Sequence, residues 1–338
     1  MRWLAVLGLL AACGRVGFDA RFDATGDDMP DGGDAAALCD DHVIGDIGEP
    51  ATKLRAAEVS TGWIVAADTA DYVAFGRVQP DGTTGGISKD LSLSATYTLQ
   101  GIGVLQDEIG LTVSETGTSM SYLKKMHPTL DGHDTVVAWD LGIEVDPAYA
   151  PMPSGDGLLA CSFSGFLGFK DVGAGAVEGD FTSPYSPQGM RAMHVASTGT
   201  SYAVLLEMPG NQCESYVMDA GGVTTSHRMF ACTDAAIVSA PDGTAYAVYD
   251  DGGATHLDDI PYTAGTIVSP AYTNHRVSMA SAIWVASAPV PGSIEVRRMP
   301  EAARVAAVAG TAFDLVGDEL FWVDAMTLHA GRLCLPPK

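Results

Sequence analysis

Seven short apolar runs recur along the chain at intervals of roughly 37–49 residues. That spacing restricts the fold more than any other feature. The runs are Trp63-Ile64-Val65-Ala66-Ala67, Ile109-Gly110-Leu111-Thr112-Val113, Leu158-Leu159-Ala160-Cys161, Tyr202-Ala203-Val204-Leu205-Leu206, Tyr246-Ala247-Val248-Tyr249, Ile283-Trp284-Val285-Ala286 and Leu320-Phe321-Trp322-Val323. Each is bounded by Gly, Asp, Pro, Ser or Thr. They are too short for helices and rich in β-branched and aromatic residues, so they read as strands. Continuous apolar runs of this length suit strands covered on both faces. A period of about 40–50 residues made only of strands is that of four-stranded blades. The chain is therefore expected to be all-β: a β-propeller of seven blades, or six if the weaker run at Ile109–Val113 is not a blade. A pair of β-sandwiches is the competing architecture.

A local grammar repeats within the period. An apolar strand is followed by a polar turn and then a strand that ends in basic residues, as in Tyr72–Val78 with Arg77 and Ser293–Met299 with Arg297 and Arg298. Two turns share a tripeptide, Gln79-Pro80-Asp81-Gly82 and Ala240-Pro241-Asp242-Gly243. Pro pre-sets one backbone angle and Gly takes the positive one. These segments resemble the Pro-Asp-Gly turns of TolB-like propeller repeats, and the resemblance implies a tight turn before the second strand of a blade. A ring left open would expose sheet edges. The apolar pair Val43-Ile44 is the expected closing strand, supplied from the N-terminal side to the last blade.

The N-terminus follows a different logic. Arg2 precedes the apolar run Leu4–Ala12, which is shorter than the ~20 residues a helix needs to cross a bilayer. A positive start, a short apolar stretch and small residues before a cut site describe an export signal. The segment Leu10-Ala11-Ala12-Cys13 resembles the bacterial lipobox. That resemblance implies cleavage before Cys13 and lipidation of Cys13, with lipid as the sole membrane anchor. Gly14 in place of Asp favours the outer membrane or cell surface under the sorting rule of that family. The stretch that follows is built from Asp, Gly and Ala, with little to bury, and reads as an extended tether. The expected organisation is a signal peptide over 1–12, the lipidated Cys and tether over 13–41, and the propeller over 42–338.

With Cys13 assigned to lipid, five cysteines remain: Cys39, Cys161, Cys213, Cys232 and Cys334. Cys161, inside an apolar run, reads as a buried thiol. Cys213 and Cys232 flank one short excursion and are candidates to staple it, worth roughly 3 kcal/mol. Cys39 and Cys334 are then candidates to join the two ends of the domain.

The formal net charge is −24, from 42 acidic and 18 basic residues. This balance argues against nucleic acid and anionic membrane surfaces as partners, both of which require Lys and Arg clusters. No catalytic constellation is legible. The eight histidines (His42, His127, His133, His194, His227, His256, His275 and His329) show none of the paired spacings that hold a metal. His133, in Asp131-Gly132-His133-Asp134, and His256, near Asp258 and Asp259, read as solvated turn residues. There is no nucleophile elbow, Asp box, phosphate loop or Cys-x-x-Cys motif, and the tether aspartates miss the register of a calcium loop. Trp63, Trp139, Trp284 and Trp322 read as packing between blades. The expectation is a binding or interaction module at the cell envelope, with no cofactor or metal and with a protein or glycan as partner. The alternative is an envelope hydrolase or lyase acting on polysaccharide, its site assembled from several blades. A structural part in a larger envelope assembly is a third option.

Overall fold

A computed structural model describes residues 38–93, 96–105, 108–118, 120–127, 130, 132–140, 148–151, 157–163, 166–172, 182–185, 190–198, 201–219, 224–240, 242–260, 266–270, 272–299 and 301–334. The expected signal, Cys13 and most of the expected tether lie outside the described residues. So do the side chains of Trp139 and Cys161.

Among the described residues, 28 strands form seven four-stranded antiparallel sheets. After β1 (Asp40–Asp46), the first sheet holds β2 (Lys53–Val59), β3 (Gly62–Asp68), β4 (Val73–Val78) and β5 (Thr84–Asp90). The second holds β6 (Tyr97–Leu105), β7 (Glu108–Glu115), β8 (Met120–Met126) and β9 (His133–Asp140). The third holds β10 (Ala148–Pro151), β11 (Gly157–Phe163), β12 (Phe166–Val172) and β13 (Thr182–Tyr185). The fourth holds β14 (Ala192–Ser197), β15 (Ser201–Met208), β16 (Gln212–Asp219) and β17 (Thr224–Ala231). The fifth holds β18 (Asp234–Ser239), β19 (Ala245–Asp250), β20 (Ala254–Ile260) and β21 (Thr266–Pro270). The sixth holds β22 (Thr273–Met279), β23 (Ile283–Ala288), β24 (Ser293–Met299) and β25 (Ala303–Ala309). The last holds β26 (Ala312–Val316), β27 (Glu319–Asp324) and β28 (Thr327–Arg332), with β1 as its outer strand.

The first strands touch in chain order, β2 on β6, β6 on β10 and so on to β22 on β26, and β26 then packs on β2. That closed circuit of inner strands makes the sheets the blades of a β-propeller. Each apolar run of the sequence falls on the second strand of a blade, including the weak one, which is β7.

The reason is a division of faces. In β3, Ile64 and Ala66 join the core shared with the second blade, through Phe75, Leu99 and Leu111. Val65 and Ala67 join the core shared with the last blade, through Phe321, Val323 and Leu328. In β27, Leu320 and Trp322 face the sixth blade, while Phe321 and Val323 face the first. A second strand is sandwiched by both neighbouring blades, so its centre is apolar apart from the buried Thr112 of β7. An outer strand has no such cover, and β17 alternates half-buried and exposed residues along its whole length.

Closure joins the two ends of the domain. β1 pairs antiparallel with β28, from Asp40 opposite Arg332 to Asp46 opposite Thr327. Ile44 is buried in the closing core, while Val43 faces solvent. Cys39, one residue before β1, is disulfide-bonded to Cys334, 295 residues away. The folded domain thus starts earlier than the expected residue 42, because Cys39, Asp40 and Asp41 are held by the bond and by the β28 ladder. A second disulfide joins Cys213, in β16, to Cys232, just past β17. Both of its half-cystines are buried in the core between the fourth and fifth blades.

The two Pro-Asp-Gly segments occupy different places. Residues 240–244 link β18 to β19, the position that the TolB-like resemblance implies. Residues 79–83 instead link β4 to β5, before the fourth strand of a blade. Both turns are built alike: Asp81 Oδ1 accepts the Thr83 N–H at 2.9 Å and Asp242 Oδ1 accepts the Thr244 N–H at 2.9 Å. Gly82 and Gly243 sit at φ of 82° and 86°, where a side chain is strained. The tripeptide encodes a turn and is blind to which strands the turn connects.

Candidate functional site

Inner strands differ from second strands in bordering the channel, where polar side chains have a place. Among the described residues, side chains of six inner strands line one cavity there, of about 360 Å³. β2 brings Lys53 and Arg55. β6 brings Gln100 and Ile102. β14 brings Met193, His194 and Val195, with Arg191 just before it. β18 brings Ala236 and Ile237, β22 Arg276 and Val277, and β26 Asp314. The volume falls at the small end of the ~300–1,000 Å³ range of ligand pockets.

Carboxylates around this ring are turned sideways, onto backbone amides of the next blade. Asp314 Oδ2 accepts the Ala56 N–H at 2.8 Å, Asp68 Oδ2 the Leu99 N–H at 3.1 Å, and Glu207 Oε1 the Ala235 N–H at 3.0 Å. Asp234 does the same for Asn274. Amides at the first strand that would otherwise be unpaired are thereby satisfied, and adjacent blades are held in register. Burial pushes the Asp68 carboxyl above its ordinary value, against the Leu99 amide and then the Lys53 and Arg55 charges, which pull it down.

The cations reach into the cavity. Lys53 Nζ donates to Gln100 Oε1 at 2.6 Å. Arg55 donates to the Gln100 and Leu54 carbonyls. Arg276 Nη1 donates to the His275 carbonyl at 2.6 Å, and its Nε lies 3.5 Å from Asp314 Oδ1. That Nε is buried and makes no hydrogen bond. Arg191 is exposed.

His194 and Glu207 form a pair on the fourth blade, with Nε2 3.1 Å from Oε1. Since Glu207 is also fixed by Ala235, the imidazole is held at a set orientation over the cavity. Behind this wall His275 is fully buried, bonded through Nδ1 to Ser287 Oγ at 2.7 Å, with Nε2 unpartnered. Burial pushes its imidazole below the ordinary value, against the pull of the Asp234, Asp250 and Glu207 carboxylates.

Two sequence expectations are corrected. His133 is not a solvated turn residue. It opens β9 with its side chain 10% exposed, and Nδ1 lies 2.7 Å from Asp90 Oδ2. For Asp90, burial opposes ionisation, but the hydrogen bonds from His133 and Ser92 outweigh it and hold the carboxyl at about 2. His256 likewise lies in β20, stacked on the Tyr249 ring and 2.8 Å from Asp251 Oδ2, while Asp258 accepts the Tyr249 hydroxyl at 2.7 Å. Trp284 and Trp322 pack in the core between the sixth and last blades, and Trp63 packs partly buried against the closing core. Among the described residues no group of three His, Cys, Asp or Glu side chains is placed to hold a metal.

Sequence reasoning passed over Lys53, Arg55, Arg191, His194 and Arg276. They come from three blades, the first, fourth and sixth, and make no local motif. A signal was nevertheless available: with the blades aligned on their apolar second strands, Arg55 stands opposite Ala66, His194 opposite Leu205, Arg276 opposite Ala286 and Asp314 opposite Phe321. One recurring position near the middle of the first strand is therefore the channel position.

No family model matches the chain, and no curated protein matches it. Solved structures do. The WD40 domain of Toxoplasma gondii coronin superposes with a TM-score of 0.58 at 10% identity, covering 90% of each chain. A structure from a study of two prolyl endopeptidases superposes with a TM-score of 0.54 at 12% identity, covering 80% of this chain and 46% of that one. At such identities the likeness is one of fold.

Proposed function

We propose that this protein is a lipoprotein of the bacterial cell envelope whose propeller is a binding module, with its ligand site at the channel. The observation that carries the binding site is the convergence of side chains from six inner strands on one cavity. Propellers serve many functions, so a role is carried by the site and not by the fold. Membrane anchoring rests on the lipobox resemblance at Cys13. Two disulfides suit an oxidising compartment.

Anchoring is tested by mass spectrometry of the mature N-terminus. A diacylglyceryl-modified Cys13 as first residue is the expected result. An unmodified residue other than Cys13 overturns that part. The site is tested with Ala192→Trp, which places an indole in the cavity. Glycans, peptides and small metabolites are screened against the full-length chain purified in neutral detergent. Any ligand found is expected to lose about tenfold or more in affinity to the tryptophan variant. A ligand that binds the variant equally well is bound elsewhere, and the channel assignment falls.

A second reading is favoured by the His194–Glu207 pair. An imidazole oriented by a carboxylate and facing a cavity is the arrangement of a general base. In an envelope hydrolase or lyase it would act on a polysaccharide threaded to the channel. Cleavage of an envelope polysaccharide by the native chain, lost in His194→Asn, would decide for the enzyme.

A further inference from the structure

We infer that the channel recognises a small ligand carrying clustered negative charge, such as a phosphate or polycarboxylate group. This rests on the reading of the channel as the ligand site. The chain holds 42 acidic and 18 basic residues, so a random set of charged positions is dominated by carboxylates. The cavity inverts that ratio. Among the described residues its lining carries Lys53, Arg55, Arg191 and Arg276 against one carboxylate, Asp314, with the His194 imidazole beside them.

The surrounding carboxylates are anchored on backbone amides, and Asp314 also pairs with Arg276, its Oδ1 3.5 Å from Nε, which leaves the described lining with an excess of cations. Asp314 and Glu207 are bonded to backbone amides of the next blade, and Glu207 also holds His194. Asp68 is bonded to the Leu99 amide. Arg276 Nε is buried beside Asp314 Oδ1, at 3.5 Å, and makes no hydrogen bond. Guanidinium groups suit phosphate and carboxylate because their donors form a planar fork. Basic groups in a recess with low-dielectric walls also focus potential, which draws anions inward past an acidic exterior. A cavity of about 360 Å³ admits a small ligand and not a folded partner.

The test is calorimetric titration of the full-length chain, in neutral detergent at low salt, with inorganic pyrophosphate and with citrate. Glucose serves as a neutral probe. One-to-one binding of either anion is expected, weakened about tenfold or more in Arg191→Gln and in Arg276→Gln. Arg304→Gln, on an outer strand, is expected to bind as the native chain does. Because Arg191 is exposed, its replacement leaves the fold intact, and unfolding midpoints recorded for each variant check this. Anion binding that is indifferent to Arg191 and Arg276 overturns the inference, as an adventitious ion only. A neutral ligand lost in Ala192→Trp but retained in both Arg variants overturns the inference while leaving the channel as the binding site. If none of these anions binds and no ligand from the wider screen is affected by Ala192→Trp, the inference and the channel reading both fall.

Discussion

Replacing Cys39 and Cys334 together by alanine is expected to lower the unfolding free energy by about 2–5 kcal/mol. The bond spans 295 residues, nearly the whole propeller, whereas Cys213–Cys232 spans 19. If the contribution is mainly the entropy of closing a loop in the unfolded chain, it grows with the logarithm of loop length. The long bond should then be worth about 2 kcal/mol more than the short one. Urea unfolding of the native chain, Cys39→Ala/Cys334→Ala and Cys213→Ala/Cys232→Ala measures both losses. Equal losses would mean that loop closure is not the main contribution. Without the bond β1 is held by the β28 ladder, so a variant that unfolds in two steps, β1 first, is the expected behaviour.

Trp284→Ala is expected to cost about 3–5 kcal/mol. The indole is fully buried between the sixth and last blades, among Val296, Phe313, Leu320 and Trp322. Its Nε1–H donates to Asp318 Oδ1 at 2.6 Å, and the same carboxylate oxygen accepts the Ser281 N–H at 3.1 Å and hydroxyl at 2.7 Å. The residue thus fills a core and ties one blade to the turn of the next. Trp284→Phe retains much of the packing and loses the hydrogen bond, with an expected cost of about 1–3 kcal/mol. Denaturant midpoints of the two variants separate packing from the hydrogen bond. A loss under about 1 kcal/mol for Trp284→Ala would contradict its place in the core.

Particular residues show why the fold was largely legible and the site was not. Ile64-Val65-Ala66-Ala67 must be apolar throughout because successive side chains enter two different cores, so the second strand leaves a trace in every blade, weakest in β7, where Thr112 interrupts it. Arg55 and Arg276 leave no such trace. Each is a single polar residue in a half-buried strand, and a lone arginine there reads the same whether it faces solvent or a shared cavity. His133 and His256 misled for a related reason. Both lie beside Gly and Asp, which signal a turn, but their partners Asp90 and Tyr249 are supplied by other strands.

The chain by itself determined the repeat, the strand that carries each blade's core, the strand that closes the ring and an N-terminal segment resembling a lipobox. These are properties of local pattern, set by which faces of a strand must be dry. Tertiary structure alone decided that Lys53, Arg55, Arg191, His194 and Arg276 share one cavity, and that the nearby Asp68, Glu207 and Asp314 are engaged with backbone amides. Convergence of that kind depends on ring closure, which brings together residues more than 200 positions apart, and no spacing along the chain records it.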